Sequence, residues 1–334
     1  MTDHELDHVT PETEELRAAC RRLEKKLAAT KARTADLVEA VYQAARDAAT
    51  ITGRPPARSP VKDRRRKSSE VALVHATDWQ FGKKSPSYDG QICAERIGRF
   101  ADKVVRLTQI QRADHPVRDV VLMLGGDMVE GVRIFPGQAY EIESTLYEQL
   151  FGCARVVESL VRTLADNFES VRVVTEWGNH GRLGRPGEYP AGDNIDRVLY
   201  RICEERTREV ATWVMSDDFY NRVTIGNYEA MLAHGDEIKS FGGNVPAFGI
   251  LRKCNAWASG AIPYKFQDVY LGHFHTPMTL TLANAGRVFV TGSPESGNAY
   301  AAEFVAATGI PSQRLHFVDP EAGRVTAEFS IWID

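Results

Sequence analysis

The sequence predicts a layered α/β sandwich over residues 70–334, preceded by a helix over residues 1–50 and a linker over residues 51–69. From Val71 onward, apolar strand-like runs alternate with helix-like segments, and strand-like runs dominate after about residue 210. Polar side chains that suit metals or phosphates stand at the ends of several of these strands. The hydrophobic fraction of 43% allows a sizeable core.

The N-terminal 50 residues carry a heptad pattern. Apolar or small residues recur at alternating steps of four and three, with Glu, Lys and Arg between them. Two interpretations remain open, a self-associating coiled coil or a helix that docks on the rest of its own chain. The pattern consists of Leu16, Cys20, Leu23, Leu27, Thr30, Thr34, Leu37, Val41, Ala44 and Ala48.

The linker contains Pro55, Pro56 and Pro60, which prevent helix, followed by a basic run over residues 64–67. One interpretation is a flexible, solvated tether. The other is a contact with a nucleic-acid phosphate backbone.

In the α/β part, we expect helices over residues 94–111, 143–164 and 194–210. The polar, glycine-rich segment over residues 239–265 is interpreted as a substrate-shaping loop or short lid, with a packed surface loop as the alternative. No internal repeat is visible.

Groups able to bind metals follow five of the predicted strands, and ligands at the carboxyl ends of strands converge on one crevice. We therefore expect one shared site. The groups are Asp78-Trp79-Gln80, Gly125-Gly126-Asp127, Gly178-Asn179-His180, His234-Gly235-Asp236 and Gly272-His273-Phe274-His275.

These residue types suit phosphate-ester hydrolysis. Two divalent cations about 3.5–4 Å apart can hold a bridging hydroxide as the nucleophile and neutralise the phosphoryl oxygens. A mixed carboxylate, amide and imidazole shell favours Mn²⁺, Fe or Zn²⁺ over Mg²⁺. A histidine that is not bound to metal can protonate the leaving alkoxide.

In this order, the groups resemble the calcineurin-like metallophosphoesterases, with their D-x-H, G-D-x-x, G-N-H-D/E, H and G-H-x-H motifs, over residues 71–300. The resemblance implies a four-layer α/β/β/α sandwich and two divalent ions, with manganese as the first expectation. It implies the following roles: Asp78, His275 and Gln80 at the first metal, Asp127 as the bridge, Asn179, His234 and His273 at the second metal, and His180 on the phosphate as general acid, with Asp127 and Asn179 completing the catalytic set.

Two residues depart from the family pattern. Gln80 stands where His is usual, and its neutral oxygen is a weaker donor, so the first metal site is expected to be the weaker one. Gly181 stands where the family has an acid that orients the preceding histidine, so support for His180 must come from elsewhere. Glu130 is a candidate supporting or surface group. Arg182 could grip the substrate phosphate or face solvent, and Lys83 is interpreted as structural.

The leading functional hypothesis is a phosphodiesterase acting on DNA, resembling SbcD-like repair nucleases and phage or prophage members of the family. The alternatives are a phosphoesterase for small nucleotides or phosphoproteins, and a catalytically weakened scaffold. Partners would be DNA and, through the helix, a second copy or another protein.

The composition predicts the redox state of the cysteines, the attraction to nucleic acid and the cellular location of the protein. Five scattered cysteines without a CxxC pair indicate reduced thiols. The net charge of −4 gives no overall attraction to nucleic acid. The polar N-terminus and the lack of a membrane-length apolar run predict a cytoplasmic protein with no membrane contact, in the host cytoplasm if it is phage-encoded.

Overall fold

The computed structural model of the protein describes residues 18–23, 25–26, 29, 60, 62–65, 68–135, 137–185, 187–190, 192–239, 246–295 and 310–334. The chain divides into two units, Met1–Thr52 and Gly53–Asp334. In the first unit the described residues are helical, and most of the predicted heptad pattern lies outside the described residues. The domain boundaries at residues 50 and 69 stay predictions.

The first sheet has six strands in the order β11-β10-β1-β2-β3-β4. Neighbouring strands from β1 to β4 are parallel, and β10 runs antiparallel to both β1 and β11. The strands are β1 (Glu70–Ala76), β2 (Val117–Leu124), β3 (Ser170–Thr175), β4 (Thr212–Met215), β10 (Ser312–Asp319) and β11 (Arg324–Trp332).

The second sheet has five strands in the order β5-β6-β7-β9-β8. Strands β6, β7 and β9 are parallel, and the two edge strands are antiparallel to their neighbours. The strands are β5 (Tyr220–Ile225), β6 (Tyr228–Ala233), β7 (Asp268–Leu271), β8 (Met278–Thr281) and β9 (Arg287–Val290).

Residues of both sheets share one hydrophobic core. Leu73 and Met123 of the first sheet belong to the same buried cluster as Leu232, Tyr270 and Phe289 of the second. The two sheets therefore face each other, since alternate residues of a strand point to opposite sides. The fold is a mixed α/β structure with two sheets, and the four-layer arrangement stays a prediction.

Three helices connect the parallel strands, and their starts are fixed by caps. Helix α1 (Gly90–Gln111) begins four residues earlier than predicted, because the Asp89 side chain accepts a hydrogen bond from the Ile92 amide. Helix α2 (Leu146–Ala165) begins later than predicted, after a capping box of Thr145 and Glu148. Helix α3 (Ile195–Thr207) follows Asn194, whose side chain accepts a hydrogen bond from the Asp196 amide at 2.8 Å.

A fourth helix, α4 (Ala247–Ala256), lies where the sequence suggested a loop or lid. Its Ile250 and Cys254 are buried in a cluster with Val269 and Val288 of the second sheet. Burial of this apolar face outweighs the weak local helix signal of the segment. Within the described ranges, no helix combines the length and apolar character needed to span a membrane.

Candidate metal centre

The predicted ligands lie where the two sheets end. In the first sheet Ala76 pairs with Leu124, and Leu124 pairs with Thr175, so the loops that follow these strands leave the same edge. In the second sheet Ala233 pairs with Leu271. The residues after these strand ends are Asp78, Gln80, Asp127, Asn179, His180, His234, His273 and His275.

Three of these side chains can hold one metal ion. One ligand atom from each of Asp127, His234 and His273 lies within 4.8 Å of the other two. His234 Nε2 is 3.0 Å from Asp127 Oδ2 and 3.2 Å from Asn179 Oδ1. A carboxylate, two imidazoles and an amide oxygen suit a divalent transition metal. The predicted second-metal set and its bridging aspartate are thus brought together.

A second group of predicted metal ligands also lies close together, and it consists of Asp78, Gln80 and His275. His275 Nε2 is 3.5 Å from Asp78 Oδ1 and 3.2 Å from Gln80 Nε2. Gln80 is 2% exposed, and its Oε1 has no hydrogen-bond partner among the described residues. A buried acceptor without a partner is costly, so the donor set fits a cation here. The Asp78 carboxylate also accepts hydrogen bonds from the His273 amide at 2.9 and 3.0 Å, which links the two sets.

The backbone at these ligands is strained. Within the described ranges, Ala285 is the one non-glycine residue with positive φ that is not a predicted ligand. A left-handed conformation costs a non-glycine residue about 1–2 kcal/mol and persists where surrounding contacts enforce it, often at functional sites. The strained ligands are Asp78 (56°), Gln80 (43°), Asp127 (51°), His273 (66°) and His275 (54°).

Asp196, in the first turn of α3, anchors two ligand loops at once. Its carboxylate accepts hydrogen bonds from the amides of Asp127 (2.9 Å), Met128 (3.2 Å) and Gly178 (3.0 Å). Burial, together with the nearby Asp127 charge, raises the pKa of Asp196 to about 6. Nothing in the sequence marks this residue as part of the site, because an acid in the first turn of a helix is ordinary.

Both the backbone amide and the ring of His180 have hydrogen-bond partners. Its amide donates to Asp127 Oδ1 at 2.7 Å, and its Nδ1 is 2.9 Å from the Glu130 carbonyl and 3.3 Å from Glu130 Oε2. Burial alone would lower the pKa of His180, but the charges of Asp127 and Glu130 raise it to about 9. An imidazolium donor is therefore favoured at this position in the metal-free protein.

Glu130 supplies the carboxylate that Gly181 lacks. Glu130 is fully buried, so it is a supporting group rather than a surface group. A Cβ at position 181 would lie 2.1 Å from Asn194 Oδ1, which leaves no room for a side chain there. Asn194 both caps α3 and donates to the Gly178 carbonyl at 2.8 Å. The carboxylate that faces His180 therefore comes from Glu130, which lies in a different loop from Gly181.

The charged groups of the site shift one another's pKa values. Burial would raise the pKa of Asp127, but His234 and His180 hold the pKa of that carboxyl well below its usual range. Burial and the His234 charge lower the pKa of His273 to about 4. Burial would lower the pKa of His234, but the Asp127 charge raises it well above its usual range, so metal binding, which needs a deprotonated ligand, would release a proton from His234.

Arg182 lies beside the site but is already paired. Its guanidinium donates to the Asp236 carboxylate, and its side chain is 36% exposed. One arginine of the basic run in the linker is also engaged in an ion pair, since Arg65 pairs with Asp63 at 2.7 Å. These ion pairs do not show that Arg182 or Arg65 contacts a substrate. Substrate binding by Arg182 stays a prediction.

Histidines outside the motifs have structural positions. His75 Nδ1 is 2.7 Å from Thr291 Oγ1, and Tyr270 Oη is 2.8 Å from His316 Nδ1, both inside the core. His115 pairs with Asp114 at the surface. These contacts give all three histidines structural roles away from the candidate metal centre.

Comparison with known proteins yields structural likeness alone. No protein-family model matches the chain, and no curated protein matches it. Vps29 from Entamoeba histolytica, solved with Zn²⁺, is 12% identical over 79% of this chain and 99% of its own, with a TM-score of 0.35. A hypothetical protein from Pyrococcus horikoshii is 13% identical over 79% and 89%, with a TM-score of 0.39. A predicted phosphoesterase from Streptococcus pneumoniae is 12% identical over 79% and 99%, with a TM-score of 0.32. At these values the likeness carries no argument about activity.

Proposed function

We propose that this protein is a divalent-metal-dependent phosphodiesterase that acts on nucleic acid, with Mn²⁺ as the preferred ion. The observation that carries the proposal is the convergence of Asp127, His234 and His273 within 4.8 Å, with His180 bonded through its amide to the same Asp127. A structural role alone would not require three ionisable side chains to converge in this way, because unpaired buried charge is costly.

The residues divide into metal holders and a proton donor. Bound divalent ions would supply a nucleophile at neutral pH and neutralise charge on the phosphoryl oxygens. Asp127, His234, His273 and Asn179 would hold one ion, and Asp78, Gln80 and His275 the other. In the described part of the chain, the hydrogen bonds of the His180 ring involve Nδ1 and Glu130. Its Nε2 is therefore the nitrogen that can donate a proton to the leaving oxygen.

A diester fits the charge of the site better than a monoester. Arg182 is engaged by Asp236, so it offers a substrate less positive charge than an unpaired arginine would. A phosphodiester carries one negative charge, whereas a monoester carries close to two at neutral pH. The smaller charge needs less neutralisation from side chains.

An exposed aromatic ring supports a nucleotide leaving group. The Phe135 ring centroid is 6.2 Å from that of His180, and Phe135 is 38% exposed. Its loop is fixed by Gln138, which is 1% exposed, accepts from the Ile134 amide at 2.7 Å and donates to the Glu130 carbonyl at 2.8 Å. A base carried by the leaving group could stack on such a fixed ring.

The wider proposal includes features that lie further from the site. These are the four-layer arrangement, pairing of two copies or recruitment of a partner through the N-terminal helix, a nuclease role resembling SbcD-like or phage enzymes, and a cytoplasmic location. They are supported by the sequence patterns and the resemblance alone.

The test is hydrolysis with Mn²⁺ of bis-p-nitrophenyl phosphate, p-nitrophenyl phosphate, and labelled single- and double-stranded DNA. We expect cleavage of the diester and of DNA, with DNA cleavage reduced about 10²–10⁴-fold by His180→Ala, because the leaving alkoxide of DNA needs a proton. His115→Ala, the same change at a surface histidine, should retain full activity. A folded protein without turnover with any divalent ion would contradict both enzyme hypotheses and leave the scaffold. Turnover of the monoester alone would contradict the diester proposal.

A further inference from the structure

A buried ion pair lies next to the first-metal set. Lys83 Nζ is 2.7 Å from Glu295 Oε1, and the two side chains are 7% and 2% exposed. Removing both charges from water costs free energy that their mutual attraction does not always repay, so the pair is weak evidence for a purely stabilising role. The sequence favours a structural role for Lys83, and no motif in it marks Glu295.

The other oxygen of Glu295 faces a predicted ligand. Glu295 Oε2 is 3.4 Å from His275 Nδ1, while His275 Nε2 faces Asp78 and Gln80. Lys83 therefore occupies one carboxylate oxygen and directs the other to the imidazole. A carboxylate on the far nitrogen of a histidine fixes the tautomer and orientation of the ring and strengthens the metal-facing nitrogen as a donor.

The backbone ties this pair to the first-metal residues. The Lys83 amide donates to the Gln80 carbonyl at 3.0 Å. The Glu295 amide donates to Ser293 Oγ at 2.9 Å, and that hydroxyl donates to the Asp78 carbonyl at 2.7 Å. Both members of the pair are thus fixed relative to the side chains that would hold the first ion.

We propose that Glu295, held by Lys83, is a positioning residue that makes His275 a strong ligand and offsets the weak donor Gln80 at the first metal site. Gln80 is neutral, so the affinity of this set depends on Asp78 and His275. The proposal rests on the proposed function only in requiring that the centre binds two divalent ions.

The test is calorimetric titration of the metal-free full-length protein with Mn²⁺, which reads binding rather than turnover. We expect two classes of site in the unaltered protein. Glu295→Gln should weaken one class about 10–100-fold and leave the other unchanged. Lys83→Met, which frees Glu295 from its partner, should weaken the same class. Glu229→Gln, which breaks an Arg222–Glu229 pair of 2.7 Å on β5 and β6, is the matched control and should change neither class.

Other results would overturn either this inference or the proposed function. Equal affinities in Glu295→Gln and the unaltered protein would overturn the inference, as would weakening of both classes together. A single class in the unaltered protein would also overturn it, while leaving a one-metal enzyme intact. No Mn²⁺ binding by the unaltered protein would instead overturn the proposed function itself. If Glu295→Gln fails to fold, Lys83→Met decides the question through the same two classes.

Discussion

Asp196→Asn tests whether one buried carboxylate holds the ligand loops in place. In the native protein Asp196 Oδ2 accepts from the amides of Asp127 and Gly178, and Oδ1 accepts from Met128. An asparagine that keeps its oxygen at the Oδ2 position retains two of these bonds in neutral form. Its amide nitrogen then faces the Met128 N–H, and that bond is lost.

The magnitude follows from these three bonds. A hydrogen bond to a charged group contributes about 1.5–3 kcal/mol, and roughly half of that when the acceptor becomes neutral, so the gross loss is about 3–6 kcal/mol. Replacement also removes the cost of burying an anion. Burial raises the pKa of Asp196 to about 6 from 3.8, which corresponds to about 3 kcal/mol. We expect a net decrease of up to about 3 kcal/mol in the free energy of unfolding.

The same substitution should also weaken metal binding. Asp127 and Asn179 belong to the two loops that Asp196 joins, so the affinity for Mn²⁺ should fall about 10–100-fold. Denaturant unfolding of the metal-free protein and Mn²⁺ titration measure the two quantities. Asp193→Asn makes the same chemical change three residues earlier and should alter neither. If Asp196→Asn binds Mn²⁺ as tightly as the unaltered protein, Asp196 does not hold the ligand loops in place.

Glu130→Gln should lower kcat for cleavage of single-stranded DNA about 10–100-fold with little change in KM, and an unchanged kcat would exclude support of His180 by Glu130. Gly181→Ala should destabilise the protein by about 1–3 kcal/mol in denaturant unfolding, since its Cβ would lie 2.1 Å from Asn194 Oδ1, and equal stability would show that the turn relaxes. Burial and the charge of Arg314 lower the pKa of His75 to about 3. Below about pH 6.5, His75 therefore binds a proton in the unfolded chain but stays neutral in the folded protein. Stability should fall with decreasing pH, and His75→Gln should reduce that slope by up to about 1.4 kcal/mol per pH unit between pH 6 and 4; an unchanged slope would contradict a neutral buried His75.

Strand ends could be found from the sequence because their signal is local. An apolar run that ends in Asp127 or His234 identifies both the strand and the side chain that follows it, and parallel strands bring such ends together. The strained φ values at these ligands were invisible, because they depend on hydrogen bonds between loops.

Supporting residues could not be predicted in this way. Asp196 and Glu295 reach the site from a helix start and from the loop after β9, and nothing in their local sequence marks either contact. The same limit applies to α4, whose apolar face has meaning only against the second sheet. It also applies to the short edge strand β4, which extends the first sheet beside β3.

The most direct test of the metal centre is anomalous diffraction, at the manganese absorption edge, from crystals of the full-length protein grown with Mn²⁺. We predict an anomalous peak at about 2 Å from a carboxylate oxygen of Asp127 and from imidazole nitrogens of His234 and His273. Data from crystals grown without Mn²⁺, collected at the same wavelength, provide the control. A map with no peak among these three side chains, or with Mn²⁺ bound only elsewhere, would contradict the assignment of this site as a metal centre.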